Sequence, residues 1–322
     1  MIAVTGATGF IGSALVWQLN QAGFTNLLLV DSAPPENRPG ILTGKKFSRF
    51  LLHKDFLDFL KTPESKKITH IFHMGANSST TETNVAFLKE NNTDYTRLLW
   101  DWCTENQRMY VYASSAATYG AGEKGFSDTT PFSELSPLNP YGNSKLAFDQ
   151  WAIEQKKAPP QWYGLRFFNV YGPNEYFKGP MMSLVAKAYE QICETGKLKL
   201  FISYNPQYKD GEQMRDFVYV KDVTRWMLEL TEKKPTSGVY NMGSGNARTW
   251  LDLAKATFGA IGKPMQIEWI DVPENIRNQY QYFTEAGMDK WLKAGMSRPQ
   301  WPIEKGVQDY VQNFLMKDKK IL

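Results

Sequence analysis

Thr5-Gly6-Ala7-Thr8-Gly9-Phe10-Ile11-Gly12 stands between the apolar run Ile2-Ala3-Val4 and an amphipathic stretch that reaches about Ala22. Its glycines are spaced Gly-x-x-Gly-x-x-Gly. Glycine is needed where a chain leaving a strand turns tightly, where backbone meets a pyrophosphate, and where a helix packs closely on its strand. The free N–H groups of the first helical turn then face the phosphates. The stretch predicts a strand, a phosphate-binding turn and a helix, with Gly6, Gly9, Phe10, Ile11 and Gly12 against a dinucleotide. A glycine triplet by itself also fits an empty tight turn, and the strand and helix on its flanks are what give it meaning.

Outward from this unit, short apolar runs alternate with helical patterns, which predicts an α/β protein with a doubly wound parallel sheet. Leu27-Leu28-Leu29-Val30 reads as a second buried strand ending at Asp31, residues 47–52 as a third, and Ile68-Thr69-His70-Ile71-Phe72-His73 as a fourth. A long helix is expected from roughly Asn84 to Asn106, a fifth strand at Met109-Tyr110-Val111-Tyr112-Ala113, and a sixth containing residues 164–168. Residues 32–46 and 203–213 read as loops, and Val239-Tyr240-Asn241 as a strand returning to the sheet. Residues 269–283 and the C-terminal helices read as a smaller lobe. Asp31 lies 19 residues after Gly12, where an acid hydrogen-bonds the adenosine ribose of NAD. Arg38, Lys45, Lys46 and Lys54 follow it. Any of them could pair with a 2′-phosphate, although each also suits a solvated loop, so the residues leave NAD and NADP both open.

The 322 residues suffice for one large α/β domain and a smaller one. With 42% hydrophobic and 22% charged residues, the chain reads as soluble and globular. The net charge of +4, without a block of Lys or Arg, gives no reason to expect nucleic acid. Two cysteines, Cys103 and Cys193, are too few for a disulfide framework and are expected as buried thiols in a reducing compartment. No apolar run approaches a membrane span and no export signal opens the chain, so a cytoplasmic protein without a membrane partner is expected. His53, His70 and His73 lack ligand spacing, so no metal is expected. Trp100, Trp102, Trp162 and Trp226 read as core or interface packing.

In Pro140-Tyr141-Gly142-Asn143-Ser144-Lys145 the tyrosine and lysine are four residues apart and share one face of a helix. A phenol titrates near about 10 in water and is a poor base at neutral pH. An adjacent ammonium stabilises the phenolate and produces an acid/base suited to an alcohol. Tyr-x-x-x-Lys also occurs on ordinary surface helices, and only its company in this chain argues for chemistry.

That company is a series. The glycine turn, Ser114-Ser115-Ala116-Ala117-Thr118-Tyr119-Gly120, Tyr141-x-x-x-Lys145, Arg166-Phe167-Phe168-Asn169-Val170-Tyr171-Gly172-Pro173 and Arg215-Asp216-Phe217-Val218-Tyr219-Val220-Lys221-Asp222-Val223 occur in this order. The chain resembles the extended short-chain dehydrogenases/reductases that act on nucleotide sugars. It is most similar to the branch that epimerises ADP-heptoses at C6, through Asn77-Ser78-Ser79-Thr80-Thr81-Glu82, residues 112–120 and Lys178-Gly179. The resemblance implies a Rossmann-type sheet of about seven strands with a smaller C-terminal α/β substrate lobe. Residues 1–170 with about 215–245 would form the first unit, and about 171–214 with 246–322 the second. It implies an ADP-sugar substrate of lipopolysaccharide inner-core synthesis, tightly held NADP despite Asp31, and a homo-oligomer, with a homopentamer among the family's arrangements. It further implies Ser115 beside Tyr141, and Asn92 and Lys145 near the nicotinamide ribose. Ser32, Gly75, Ala76, Asn77, Ser78, Ser79, Val170 and Lys178 would complete the cofactor contacts. Asn169, Met181, Ser183, Lys187, Phe201, Ile202, Ser203, Tyr204, Arg215 and Tyr280 would line the substrate site, with Lys187 and Arg215 on its diphosphate.

Inverting an unactivated carbinol carbon is easiest by oxidising it to a planar ketone and returning hydride to the other face. After the ketone turns over, its oxygen leaves the first acid/base, so a second is needed. Lys178 is the candidate, its pKa lowered by partial burial, while a diphosphate-binding or surface lysine is the plainer reading. Some positions depart from the family pattern. Pro180 replaces a serine in Lys178-Gly179-Pro180-Met181, Lys187 replaces a helix histidine, and the segment before Arg215 is longer. A 4,6-dehydratase would need an Asp-Glu pair where Ala116-Ala117 stands. A UDP-hexose 4-epimerase, another nucleotide-sugar reductase, and a non-catalytic dinucleotide-binding module remain alternatives.

Overall fold

A computed structural model describes residues 1–277 and 280–322. The chain builds β1 (Ile2–Thr5), α1 (Phe10–Gln21), β2 (Leu27–Asp31), β3 (Arg49–Leu52), α2 (His53–Leu60) and β4 (His70–His73). It continues through α3 (Val85–Leu88), α4 (Tyr95–Glu105), β5 (Met109–Ser115), α5 (Pro140–Glu154), β6 (Trp162–Phe167) and β7 (Asn169–Tyr171). Next come α6 (Leu184–Thr195), β8 (Leu198–Phe201), β9 (Met214–Tyr219), α7 (Val220–Lys233), β10 (Gly238–Met242), β11 (Ala247–Thr249) and α8 (Trp250–Ile261). The described chain closes with β12 (Ile267–Ile270), α9 (Glu274–Arg277), α10 (Asp289–Lys293) and α11 (Ile303–Tyr310).

Seven parallel strands form the central sheet in the order β10-β6-β5-β4-β1-β2-β3, as the alternating pattern and the resemblance led one to expect. Side chains alternate across it. Val4, Leu29, Phe72, Val111 and Leu165 pack against α1 and α7 on one face. Ala3, Leu28, Ile71, Tyr110 and Tyr112 pack against α2, α4 and α5 on the other. Trp100 and Trp226 anchor these two layers. Trp291 of α10 joins the first of them, edge-on to Trp226 and Tyr240. Beyond the C-terminal edge of the sheet lie two small sheets, β11-β9-β7 and β12-β8, with α6 and α8 packed on the latter.

Strand order reverses between β1 and β4, which opens a crevice at their carboxyl ends. Gly6, at φ +64°, lies so close to β4's exit that a Cβ there would meet the Gly75 nitrogen at 2.6 Å. Gly12 is tighter still, since its Cβ would fall 2.0 Å from the Gly6 carbonyl oxygen.

Local differences from the sequence expectations have physical causes. The third strand is shorter than residues 47–52 and half-exposed, because it is the sheet's edge. The helix expected over residues 84–106 is continuous but contains a π-helical stretch, Lys89–Asp94, between α3 and α4. Asn92 on that stretch is turned inward to brace Asn77 and Ser144, at 2.8 and 3.1 Å. Cys103 is buried as expected, but Cys193 is exposed. Helix α6 buries the stripe Val185, Ala188 and Ile192, and position 193 falls just off it.

His73, at the end of β4, ties three elements together. Thr96 donates its hydroxyl to the Asn92 carbonyl, so it must accept from His73 Nε2 at 3.0 Å. His73 Nδ1 is then an acceptor and takes the Thr5 hydroxyl proton at 2.6 Å, while Thr5 Oγ1 accepts from Gly75 N. Burial first, and Lys145 second, push the imidazole pKa down to about 3. The unfolded chain therefore binds a proton here that the folded chain refuses between about 6.5 and 3. Stability conferred by the neutral ring is fully present above pH 6.5 and falls with pH through that window. Urea unfolding between pH 7 and 4 should show a shallower loss of stability for His73→Gln than for the unsubstituted chain; equal slopes would contradict this account.

Candidate active site

The crevice holds a groove of about 750 Å³. Its floor is the glycine turn, Gly6, Gly9, Phe10, Ile11 and Gly12. Gly9 caps α1 without a side-chain hydrogen bond, and no acid stands in that helix's first turn, so its free N–H groups and positive end remain available to an anion. Asp31, Ser32, Arg38 and Lys54 line one end, and Gly75, Ala76, Asn77 and Ser78 follow β4 along the side. Ser115, Tyr141, Lys145, Val170 and Lys178 also line the groove. A glycine cradle, an uncapped helix end and a groove of this size fit a dinucleotide.

Asp31 is already engaged. One oxygen accepts from the Thr8 amide and hydroxyl at 2.9 and 2.8 Å, and the other from the Ser32 amide at 2.8 Å. Arg38 donates to the same Thr8 hydroxyl at 2.9 Å, comes within 3.7 Å of Asp31, and lies 4.2 Å from the Phe177 ring centre. The cation thus compensates the acid and reaches across to the segment that carries Lys178.

Helix α5 begins at Asn139, whose side chain accepts from Gly142 N at 2.8 Å, with Pro140 in the first turn. This start points Tyr141 and Lys145 into the groove on successive turns. Lys145 Nζ donates to the Ala113 carbonyl at 2.9 Å. Burial lowers its pKa to about 8, and Asp149 opposes that shift. Burial raises the Tyr141 pKa, and Ser115 pulls it back. The expectation that Lys145 depresses the phenol is therefore not met by the protein's own groups. The dry site penalises a phenolate, and the ammonium's hydrogen bond goes to a carbonyl.

One turn below Lys145, Asp149 is fully buried. It accepts from Tyr112 OH at 3.0 Å, Ser114 Oγ at 2.9 Å and Arg166 Nε at 3.0 Å. The rest of the Arg166 guanidinium lies near the Tyr119 and Phe132 rings, 4.9 and 4.8 Å from their centres. Beside the glycine turn, Lys178 Nζ sits 5.4 Å from the centre of the Phe10 ring. Burial lowers its pKa, with Glu175 opposing and Lys187 reinforcing the shift. The groove is therefore lined by two titratable groups from distant parts of the chain, one phenol and one amine.

The sequence profile of the NAD dependent epimerase/dehydratase family matches residues 2–243. The chain belongs to that family. A relative from Fusobacterium nucleatum, named ADP-L-glycero-D-manno-heptose-6-epimerase, is 45% identical over the whole of both chains. One of the same name from Nitratidesulfovibrio vulgaris is 44% identical over 98% of each. Among solved structures, the Helicobacter pylori ADP-L-glycero-D-manno-heptose-6-epimerase superposes with a TM-score of 0.81 at 27% identity, covering 97% of this chain and 95% of that one. The Thermus thermophilus UDP-glucose 4-epimerase in complex with NAD gives 0.76 at 25% identity, covering 96% and 97%. The family supports a nicotinamide dinucleotide in the groove.

Not every residue expected at the site lines the groove. Asn92 is buried behind it and holds Asn77 in place through both its oxygen and its nitrogen. Ser79 N is turned onto the Asn77 side chain at 2.9 Å. Ser183 caps α6 and gives its hydroxyl to Glu175. Lys187 donates to the Pro180 carbonyl at 3.3 Å. Met181 and Asn169 are exposed. A second grouping gathers in the smaller sheets. Arg215 lies 5.6 and 5.4 Å from the Trp250 and Tyr280 ring centres and donates to the Met214 and Gln281 carbonyls. Phe201 meets Tyr280 edge-on at 6.0 Å, and Ile202 N pairs with the Ile270 carbonyl at 3.0 Å. Ser203 N donates to Asp210, while Tyr204 OH donates to Asp271 at 2.6 Å. Gln281 joins the two groupings by donating to the Gly120 carbonyl, beyond the Ser115 loop.

Sequence reasoning missed Thr8, His73, Phe177, Glu175 and Asp149. Thr8 lay inside the glycine turn and Asp149 one turn after Lys145, so spacing could have found both. Phe177 and Glu175 carry no pattern of their own. Asp149→Ala should leave Arg166 charged and unpaired in the core and cost about 3–5 kcal/mol in urea unfolding. A cost below about 1 kcal/mol, the range of a surface pair, would show the network to be dispensable.

Proposed function

We propose that this chain inverts C6 of the heptose in ADP-D-glycero-D-manno-heptose to give the L-glycero epimer, within lipopolysaccharide inner-core synthesis. The observation that carries the reading is that Tyr141 and Lys178 line one dinucleotide-type groove, in a chain whose full-length relatives bear that epimerase name. A bound nicotinamide dinucleotide would supply hydride removal and return at the carbinol carbon. Tyr141 takes the hydroxyl proton in one orientation of the sugar as the phenolate, which Lys145 and the positive charge of a bound nicotinamide would favour against burial, while Ser115 hydrogen-bonds the reacting oxygen. Lys145 holds the wall behind it through the Ala113 carbonyl. Once the ketone presents its other face, its oxygen has left Tyr141, and Lys178 gives the proton that completes the inverted alcohol. Burial lowers the amine's pKa, which eases release of its proton.

The substrate's diphosphate would run from the groove toward Arg215, with Tyr280, Phe201, Ile202, Ser203 and Tyr204 around the nucleotide and Asn169, Met181, Ser183 and Lys187 nearer the sugar. In the apo arrangement Arg215 faces carbonyls and Ser183 faces Glu175, so these contacts require side-chain exchange on binding. The cofactor is NADP on this reading, with Arg38 and Lys54 meeting the 2′-phosphate and Arg38 offsetting Asp31. The enzyme works as a cytoplasmic homo-oligomer.

Purified protein offered ADP-D-glycero-D-manno-heptose and UDP-galactose side by side should epimerise the ADP sugar; turnover of the UDP sugar alone would overturn the assignment. Tyr141→Phe and Lys178→Met should each abolish epimerisation while retaining fold and bound dinucleotide, and near-normal turnover in Lys178→Met would remove the two-base mechanism. Arg38→Ala should weaken NADP binding about tenfold or more, the scale of one charge-assisted hydrogen bond. NAD binding should change little, and an equal loss for both would assign the 2′-phosphate elsewhere.

A further inference from the structure

Lys178 lies on a segment that belongs to no regular sheet or long helix. It follows β7, turns at Gly172 and ends where Ser183 caps α6. Within it Gly179 has φ +51° and Pro180 follows, so the backbone beside the lysine forms only short turns broken at Gly179. Something must hold this segment if an amine on it is to meet a reacting oxygen within the tolerance catalysis demands.

Glu175 is fully buried. One of its oxygens accepts from the Ser183 hydroxyl at 2.7 Å and the Gly172 amide at 3.3 Å; the other accepts from the Ser183 amide at 2.6 Å. One carboxylate therefore pins both ends of the stretch from 172 to 183. Its own carbonyl accepts from Lys178 N at 3.0 Å, which closes the turn that presents the side chain. Every partner is a donor, and these hydrogen bonds, with Lys178, oppose the burial that raises the Glu175 pKa. Lys178 Nζ has no hydrogen-bond partner and no ion pair among the described residues, and Glu175 is the carboxylate that acts on it electrostatically.

We propose that Glu175 is a positioning residue for Lys178: it fixes both ends of the segment that carries the amine and, three residues before it on the same turn, supplies a buried carboxylate that favours the ammonium form. This rests on the reading of Lys178 as the second acid/base. Glu175 does not touch substrate. It keeps the amine protonated long enough to deliver its proton, yet leaves the nitrogen unpaired for the reacting oxygen. The charged and titratable groups around the pair are Lys187 on α6, Tyr176 on the same segment and Tyr310 on α11, with Arg38 stacked on the neighbouring Phe177. Lys187 repels Lys178, so Glu175 is what offsets both burial and that second cation.

The test separates pinning from charge. Glu175→Gln removes the charge and mismatches one donor; Ser183→Ala keeps the charge and removes one pin. Lys178 is followed by NMR in protein reductively methylated with ¹³C, its signal identified by its loss in Lys178→Met. In Glu175→Gln the Lys178 titration should move down by about one unit or more, since an unscreened partner charge is lost. Turnover should fall about tenfold or more, with the Michaelis constant nearly unchanged. In Ser183→Ala turnover should fall while the titration stays where it was. If Glu175→Gln leaves the titration in place, the charge role is overturned. If Ser183→Ala turns over at the unsubstituted rate, the pinning role is overturned, and this variant decides the matter should Glu175→Gln fail to fold. The titration needs no substrate, so a failure of the epimerase assignment would appear as absent turnover in the unsubstituted enzyme, with the Glu175 effect on Lys178 still measurable.

Discussion

The buried charge of Asp149 is the constraint on which the active half of the molecule depends. Its carboxylate collects donors from β5, through Tyr112 and Ser114, and from β6, through Arg166, while itself standing on α5. A carboxylate taken fully out of water is tolerable only when its lone pairs are satisfied and its charge is opposed. Meeting that condition locks the rotation and height of α5 against the sheet. Tyr141 and Lys145 lie on the same helix, and Ser115 follows Ser114 on the strand. Their relative placement is thus a consequence of satisfying a charge that never meets substrate.

The segment that carries Lys178 is organised by the same principle in a different material. No long helix or sheet strand carries that amine, and a second buried carboxylate, Glu175, gathers the ends of an irregular segment. At the glycine turn, Gly6 and Gly12 allow approaches that any side chain would prevent. Arg38 reaches from Thr8 to the Phe177 ring, linking the glycine turn to the residue before Lys178.

Burial acts in one sense on the three titratable groups of the groove: it raises the phenol of Tyr141 and lowers the amines of Lys145 and Lys178, in each case favouring the neutral form. The two amines, which strongly prefer charge in water, are brought toward a balance in which a proton can be held or given up, whereas the phenol, already neutral in water, is held more firmly so. Ser115 opposes the shift of the phenol, and Glu175 that of the Lys178 amine.

Much of this was legible in the amino-acid order. The glycine turn, the alternation of buried strands and the Tyr141–Lys145 spacing are local matters, set by backbone sterics and by the periods of helix and strand, and the seven-stranded sheet follows from them. Asp31 and Lys178 could be marked from position and family pattern. Only the tertiary structure decided what those side chains face. Lys145 turned to a carbonyl on β5, Ser183 to Glu175, and Arg215 to Trp250 and Tyr280 rather than to open space. Cys193 fell outside the buried stripe, and a π-helical turn brought Asn92 inward. Hydrogen-bond partners and desolvation depend on residues far apart in the chain, such as Arg215 and Gln281, 66 positions away. No local pattern records that distance, and it is the distance over which charge, burial and therefore chemistry are set.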